Sequence, residues 1–239
     1  MHIVGFGCSF TYGSELSAPG HDSWDQHHTN DQYRQRWVYL GQLAHHYGAT
    51  VNNLSQPSGS NTFIWHELAQ YIMRNPEPDH NELIVIGWTN IDRMSWYHDD
   101  EMRWVHSGYI RFNNNPHPSD ACFSDSCKEW IKHSLNYQIN HDIHIRMSAN
   151  ALLETYGVPY VQFNALDHLK GYERRGTGHR LHTGPQGKNC FMGNQNMHDW
   201  LREQHGDAVF AGGEHPNERG HELWIQQLIP YLDTKVLMR

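Results

Sequence analysis

Residues 2–11 read His2-Ile3-Val4-Gly5-Phe6-Gly7-Cys8-Ser9-Phe10-Thr11. The apolar run over His2–Phe6 is short and ends at a glycine, which is typical of a buried strand that leads into a turn. A second short strand is predicted over Thr50–Leu54. The clearest strand covers Glu82–Gly87, where Leu83-Ile84-Val85-Ile86 is continuously apolar. Such runs indicate strands that are covered on both faces, as in a parallel sheet.

Helical periodicity alternates with these strands. The predicted helices run from about Trp37 to Gly48, from a cap at Asn61 onward, from about Lys128 to Tyr156, over Met197–His205 and from about Asn217 to Leu232. Further strands are predicted over Val158–Phe163 and Asp207–Phe210, and Tyr12–Arg36 is predicted to be a loop. This alternation predicts an α/β fold, a three-layer α/β/α sandwich around a mainly parallel sheet.

Two long segments interrupt the alternation. Residues 92–128 show no sustained period, and residues 167–196 are polar and rich in glycine. The sequence therefore predicts one domain over residues 1–239 with two loop insertions. Both insertions follow strands, and loops of this length in a compact domain are usually functional or disordered. In parallel α/β folds, ligands bind at the carboxyl ends of the strands.

Composition and charge exclude several classes of partner. The formal net charge is −8 with histidine neutral, which argues against binding to nucleic acids or anionic membranes. No apolar run approaches the roughly 18 residues that span a bilayer. The four cysteines form no CxxC pair, so reduced thiols are expected. With no signal peptide recognised, we expect a cytoplasmic protein that acts on a small molecule without a cofactor.

Four short motifs occur where the predicted sheet presents its carboxyl edge. Gly7-Cys8-Ser9-Phe10-Thr11 follows the first strand, and Asn53-Leu54-Ser55-Gln56-Pro57-Ser58-Gly59-Ser60-Asn61 follows the second. Gly87-Trp88-Thr89-Asn90 follows the third strand, and Glu214-His215-Pro216-Asn217 precedes the last helix. Each motif alone is a weak signal, but four in this order and placement are hard to obtain by chance.

The four motifs resemble the blocks of the SGNH (GDSL-like) hydrolase family, which supply a Ser, a Gly, an Asn and a His in that order. The resemblance extends over nearly the whole chain, except for the two insertions, and implies a flavodoxin-like SGNH fold. It implies that Ser9 is the nucleophile of an esterase and that His215 is its general base. It also implies an oxyanion hole made by the backbone N–H groups of Ser9 and Gly59 and by the side-chain amide of Asn90.

The chain departs from the family pattern at two positions. Cys8 stands where the first block usually has Asp, and we interpret it as a small packed residue rather than as an alternative nucleophile. Gly212 stands where the family usually has the Asp that orients the histidine. A backbone carbonyl near Gly212 is the first replacement that we expect, which would make a Ser–His dyad. Glu214 and Asp207 are the alternatives.

Other features have two interpretations. His179, His182, Cys190 and His198 are residue types that bind zinc, but their spacing matches no established pattern, so we interpret them as parts of a polar loop and expect no metal. Arg93, three residues after Asn90, is expected either to contact a substrate carboxylate or to form a structural ion pair.

The function predicted from these residues is hydrolysis of an O-acyl ester by acyl transfer to Ser9 and then to water. A small-molecule or carbohydrate ester, such as an acetylated carbohydrate, is the expected substrate class. The alternative is a non-catalytic binding or structural module built on the hydrolase scaffold, because fold alone does not settle activity.

Overall fold

The computed structural model describes residues 1–22, 28–79, 81–91, 93–98, 102–106, 135–166, 189–193 and 195–238. The strands in this part are β1 (His2–Gly7), β2 (Thr50–Asn53), β3 (Glu82–Trp88), β4 (Ser95–His98), β5 (Arg103–His106) and β6 (Tyr160–Asn164). The helices are α1 (Ser9–Tyr12), α2 (His28–Trp37), α3 (Tyr39–Tyr47), α4 (Asn61–Arg74), α5 (Leu135–Tyr156), α6 (Met197–His205) and α7 (Glu218–Tyr231).

Four parallel strands form the central sheet in the order β2-β1-β3-β6. The order reverses direction between β1 and β3, where Gly7 lies beside Gly87 at the carboxyl edge. Such a reversal opens a crevice between the loops that leave the two strands, and ligands of open α/β sheets bind there. The predicted parallel sheet is thus confirmed, and its most favourable binding position lies at the ends of β1 and β3.

Helices cover both faces of the sheet. Ile3, Val85 and Phe163 point to one side, where they share a core with residues of α3, α6 and α7. Val4 and Ile86 point to the other side and pack with residues of α4 and α5. Successive strand residues face opposite layers, which explains why these strands are apolar throughout. The predicted three-layer α/β/α architecture is confirmed.

Three elements differ from the sequence predictions. Part of the predicted loop Tyr12–Arg36 is the polar helix α2, which tertiary contacts hold: Asn30 is buried and accepts the backbone N–H of Ala18. The predicted strand at Asp207–Phe210 is a 3₁₀ turn over Asp207–Val209, and Phe210 alone makes a bridge, to Pro216.

The third difference concerns the start of α4. Ser60, rather than Asn61, caps this helix by accepting the N–H of Phe63. Asn61 is released for another contact, described below.

The first predicted insertion begins with a β-hairpin. β4 and β5 pair in antiparallel fashion, and the ring of Trp104 packs edge-on against Phe63 of α4. His106 bonds Ser95 through Nδ1 and Gln56 through Nε2, so the hairpin is tied to the second motif. The rest of this insertion, and residues 167–188 of the second, lie outside the described residues. Within the described part of the chain, no helix is long and apolar enough to cross a membrane.

Candidate active site

The first motif turns sharply from β1 into α1. A Cβ atom at Gly7 would lie 2.0 Å from Thr11 Oγ1, and one at Gly87 would lie 2.6 Å from the same atom. Both positions therefore need glycine for α1 to fold back over the ends of β1 and β3. Ser9 is the first residue of α1 and is 4% exposed. Its hydroxyl is buried and has no hydrogen-bond partner among the described residues.

Cys8 faces away from this edge and into the core. Its side chain is fully buried in the cluster that also contains Phe10 and Leu40. A thiol in such apolar surroundings packs as a small hydrophobic residue. The placement supports the interpretation of Cys8 as packing and leaves Ser9 as the candidate nucleophile.

The second motif lies beside the first. The N–H of Gln56 donates to the carbonyl of Gly7, which joins the ends of β2 and β1. Gly59 is buried, and a Cβ atom there would meet Phe63 Cδ1 at 2.9 Å. The N–H of Gly59 donates to the backbone carbonyl of Gln56 at 3.2 Å. To contribute to an oxyanion hole, this N–H would have to be shared between that carbonyl and the oxyanion. Packing against Phe63 is a reason for glycine that the sequence did not show.

The third motif is held by a buried polar network. Asn61 accepts the N–H of Thr89 through Oδ1 and donates through Nδ2 to the carbonyl of Thr89 and to Asp142. Arg146 completes the network with a 2.7 Å ion pair to Asp142. Because both backbone groups of Thr89 are fixed, the next residue, Asn90, is placed firmly. Among the described residues, none hydrogen-bonds the side-chain amide of Asn90, which is 4% exposed.

The fourth motif brings His215 against the first. The ring of His215 lies 5.4 Å from the ring of Phe10, measured between centroids. Its Nδ1 atom is 2.9 Å from Oε2 of Glu15. The same carboxylate oxygen accepts the backbone N–H groups of Gly213 and His215 at 3.1 and 3.3 Å. An acceptor on Nδ1 leaves Nε2 unprotonated, which is the tautomer that a general base needs.

The expected orienting groups for His215 were wrong. The acceptor beside His215 Nδ1 is the carboxylate of Glu15, rather than the carbonyl near Gly212. Glu214 and Asp207 lie beside Arg202, at 3.6 and 3.3 Å. The acid beside His215 is therefore Glu15, which comes from the loop after α1, and a carboxylate takes the position that the dyad hypothesis gave to a carbonyl.

Glu15 could not be predicted from the fourth motif, because it lies 200 residues away from His215 in the sequence. α1 lasts one turn and ends at Gly13 with φ +84°. Glu15 then has φ +68°, a conformation that is uncommon for a residue with a side chain and that often marks a functional site. Gly213 permits the contact, since a Cβ atom there would lie 2.2 Å from Glu15 Oε1. The only signal in the sequence was a carboxylate six residues after Ser9.

Burial lowers the pKa of His215 below its ordinary value of 6.5. The hydrogen bond and charge of Glu15 raise it, and the charges of Arg93 and His198 lower it further. The net effect keeps the imidazole neutral at neutral pH, so His215 can accept a proton there.

The candidate zinc ligands do not come together as far as the structure describes them. His179 and His182 lie outside the described residues. Burial raises the pKa of Cys190 to about 11, which disfavours the thiolate that zinc requires. His198 is 2.9 Å from Asp199 through Nδ1.

A comparison with models of known protein families identifies the family of this chain. A family model described as "Family of unknown function (DUF6071)" matches residues 21–239. The chain belongs to the DUF6071 family. The matched part of this DUF6071 protein contains Gly59, Asn90 and His215 and begins after Ser9 and Glu15. No curated protein matches it in sequence.

Solved structures with a similar chain path include esterases and lipases. A member of the lipolytic protein G-D-S-L family from Veillonella parvula is 13% identical, with 98% of this chain and 99% of that chain covered and a TM-score of 0.49. A lipase/acylhydrolase from Enterococcus faecalis is 12% identical, with 98% and 96% covered and a TM-score of 0.44. An acetyl xylan esterase from Butyrivibrio proteoclasticus is 12% identical, with 98% and 63% covered and a TM-score of 0.45. Identities and TM-scores this low support no transfer of an activity or of a residue's role to the DUF6071 protein.

Proposed function

We propose that this protein is an ester hydrolase in which Ser9 is the nucleophile, His215 the general base and Glu15 the group that orients His215. The observation that carries the proposal is the 2.9 Å contact between His215 Nδ1 and Glu15 Oε2, beside the turn that presents Ser9. A buried serine, a neutral histidine and a carboxylate on the far nitrogen are the parts that nucleophilic acyl transfer needs.

In the first half-reaction, Ser9 Oγ attacks the acyl carbon of the ester while its proton passes to His215 Nε2. The imidazolium that forms is stabilised by the Glu15 carboxylate. The negative charge on the acyl oxygen would be held by the N–H of Ser9 and the amide of Asn90, with the N–H of Gly59 shared from its turn. Collapse of this intermediate breaks the bond to the alcohol, which leaves with the proton from His215.

In the second half-reaction, water attacks the acyl-Ser9 ester and gives a proton to His215 Nε2. The carboxylic acid is released as Ser9 Oγ recovers its proton. Ser9 Oγ has no partner among the described residues, so the Ser9–His215 hydrogen bond has to form with substrate present. Catalytic hydrogen bonds that are long in a free enzyme often tighten in the complex.

Hydrolysis of p-nitrophenyl acetate tests the proposal. Ser9→Ala is expected to abolish the enzymatic rate. Cys8→Ala is the matched control, because it retains the Ser9 nucleophile and should keep the activity. Activity that survives in Ser9→Ala and disappears in Cys8→Ala would assign the reaction to the thiol and contradict the proposal. Thermal unfolding of both variants, compared with the wild type, separates loss of chemistry from loss of fold.

A non-catalytic scaffold is the second candidate. The observations that favour it are the unbonded Ser9 hydroxyl and the engaged N–H of Gly59. A scaffold would show no initial burst of p-nitrophenol and no rate difference between wild type and Ser9→Ala with any ester. An enzyme that forms an acyl-Ser9 intermediate faster than it hydrolyses it releases up to one equivalent in a burst.

A further inference from the structure

Arg93 is a partly buried cation beside the candidate active site. Its backbone N–H donates to the carbonyl of Asn90 at 3.3 Å. The Nε and Nη1 atoms of its guanidinium are shielded from solvent and have no hydrogen-bond partner among the described residues. Shielded N–H donors without partners cost free energy, and guanidinium N–H groups form charge-assisted hydrogen bonds with carboxylates.

Among the described residues, the wall of the cavity that Arg93 lines contains one carboxylate, and it is already engaged. Asp142 lines the same cavity as Arg93, but its Oδ1 accepts from Asn61 at 2.6 Å and its Oδ2 accepts from Arg146 at 2.7 Å. Arg93 forms no ion pair with an acid in the described part of the chain, so the structural ion pair, one of the two roles expected from the sequence, is not seen there.

A cavity of about 220 Å³ lies in front of Arg93. Its walls come from the start of α4, the segment after β3 and the first turns of α5, with Ile91 and Ile145 among the apolar residues. Asn61 and Arg93 belong to this wall. Asn61 is the last residue of the second motif, and Arg93 follows the third motif by three residues. The charge of Arg93 also reaches His215, whose pKa it lowers. Ser9 and His215 are not among the residues that line the cavity, so an ester attacked by Ser9 would have to reach past Asn90 to meet Arg93.

We propose that Arg93 binds a carboxylate carried by the substrate, so that the preferred esters are monoanionic. This inference rests on the proposed function and narrows its substrate class. The cavity wall also contains Asp142, whose charge is paired with Arg146. A single guanidinium in this setting suits a carboxylate monoanion better than a phosphate dianion, which usually has several cations around it. The carboxylate could belong to the acyl part or to the alcohol part of the ester, and the assay below separates the two.

Paired esters test the proposal. Mono-4-nitrophenyl succinate and 4-nitrophenyl butyrate differ by a carboxylate on the acyl side, whereas 4-acetoxybenzoate and its methyl ester differ by one on the alcohol side. We expect the wild type to prefer the anionic member of one pair in kcat/KM. Arg93→Gln should lower that anionic-to-neutral ratio by about 10- to 100-fold, as loss of a charge-assisted hydrogen bond predicts. Arg93→Lys should retain part of the preference.

Arg74→Gln is the matched control, because Arg74 is exposed in the last turn of α4. It should leave both ratios as they are in the wild type. A wild type that prefers neither anionic ester, or an Arg93→Gln variant with an unchanged ratio, would overturn the role of Arg93 while ester hydrolysis itself stands.

Binding gives a readout that does not need turnover. In a Ser9→Ala background, monomethyl succinate should bind more tightly than dimethyl succinate by calorimetry, and adding Arg93→Gln should remove the difference. Should the wild type hydrolyse no ester, the proposed function fails, and this calorimetric comparison still decides whether Arg93 holds a carboxylate. Equal binding of the two succinates would refute it.

Discussion

Replacement of Glu15 separates two contributions to the candidate site, which are the negative charge of its carboxylate and the hydrogen bond that it accepts from Nδ1–H of His215. In Glu15→Gln the side chain keeps an oxygen that can accept Nδ1–H of His215. The backbone N–H groups of Gly213 and His215 both point at that same oxygen position, so the amide NH₂ cannot take its place without facing two donors. The variant should therefore keep the productive tautomer of His215 and lose only the negative charge.

The size of the effect follows from this division. A hydrogen bond to a charged group contributes about 1.5–3 kcal/mol, which corresponds to a loss of about 10- to 100-fold in kcat. Glu15→Ala removes both the charge and the acceptor, and losing the acid of a triad costs about 10⁴-fold. We therefore expect Glu15→Ala to be at least about 10-fold slower than Glu15→Gln.

Steady-state hydrolysis of p-nitrophenyl acetate at pH 8 measures both variants. Asp207→Asn and Glu214→Gln are matched controls, since both acids lie beside Arg202 and should leave kcat within about twofold of the wild type. Wild-type activity in Glu15→Ala, or inactivity in either control, would refute the assignment of Glu15.

Four further outcomes are expected. Gly213→Ala should displace the Glu15 carboxylate, because the added Cβ would lie 2.2 Å from Glu15 Oε1, and should therefore lower kcat. Gly212→Ala should leave kcat unchanged, because no atom lies within 4 Å of a Cβ at that position. Steady-state kinetics compares the two variants. The pH profile of kcat/KM should rise through one ionisation with a midpoint below about 6.5, because burial lowers the pKa of His215. Arg93→Gln should raise that midpoint, since the guanidinium charge contributes to the lowering. His221→Leu should flatten the pH dependence of the free energy of unfolding. Burial lowers the pKa of His221 to about 3, so its contribution to the free energy of unfolding is complete above pH ~6.5. This contribution falls by about 2 kcal/mol between pH ~7.5 and ~5, because the unfolded chain binds a proton that the folded protein does not. Urea denaturation of the wild type and His221→Leu should be compared over that range.

The sheet and most helices could be predicted because their signals are local. Leu83-Ile84-Val85-Ile86 is apolar at every position, and β3 is buried on both faces. The helix of residues 39–47 ends at Gly48 in the left-handed conformation, as glycine after a periodic segment indicates. Patterns within a few residues of one another are enough for such elements.

The contacts that build the site were harder to foresee because they join distant parts of the chain. Glu15 and His215 are 200 residues apart in sequence, and no local pattern links them. Asn61 was expected to cap α4 because its residue type caps helices well, yet its amide fixes Thr89 instead. In both cases a polar side chain forms a hydrogen bond with a residue that is distant in sequence and lies beside it only in the folded protein.

α2 illustrates a further limit. It has little apolar periodicity, so the sequence favoured a loop. Its position depends on buried Asn30 and on the hydrogen bond from Tyr33 to Glu218 at 2.8 Å. Tertiary polar contacts override weak local preference at such a segment.

Covalent labelling tests the central claim, that Ser9 is a nucleophile activated by His215 and Glu15. The protein is treated with a fluorophosphonate, and the modified residue is located by peptide mass spectrometry. We expect one equivalent of label on Ser9 in the wild type, slower labelling in Glu15→Ala and almost none in His215→Ala. Label on Cys8, label that is independent of His215, or no label on a folded wild type would contradict it.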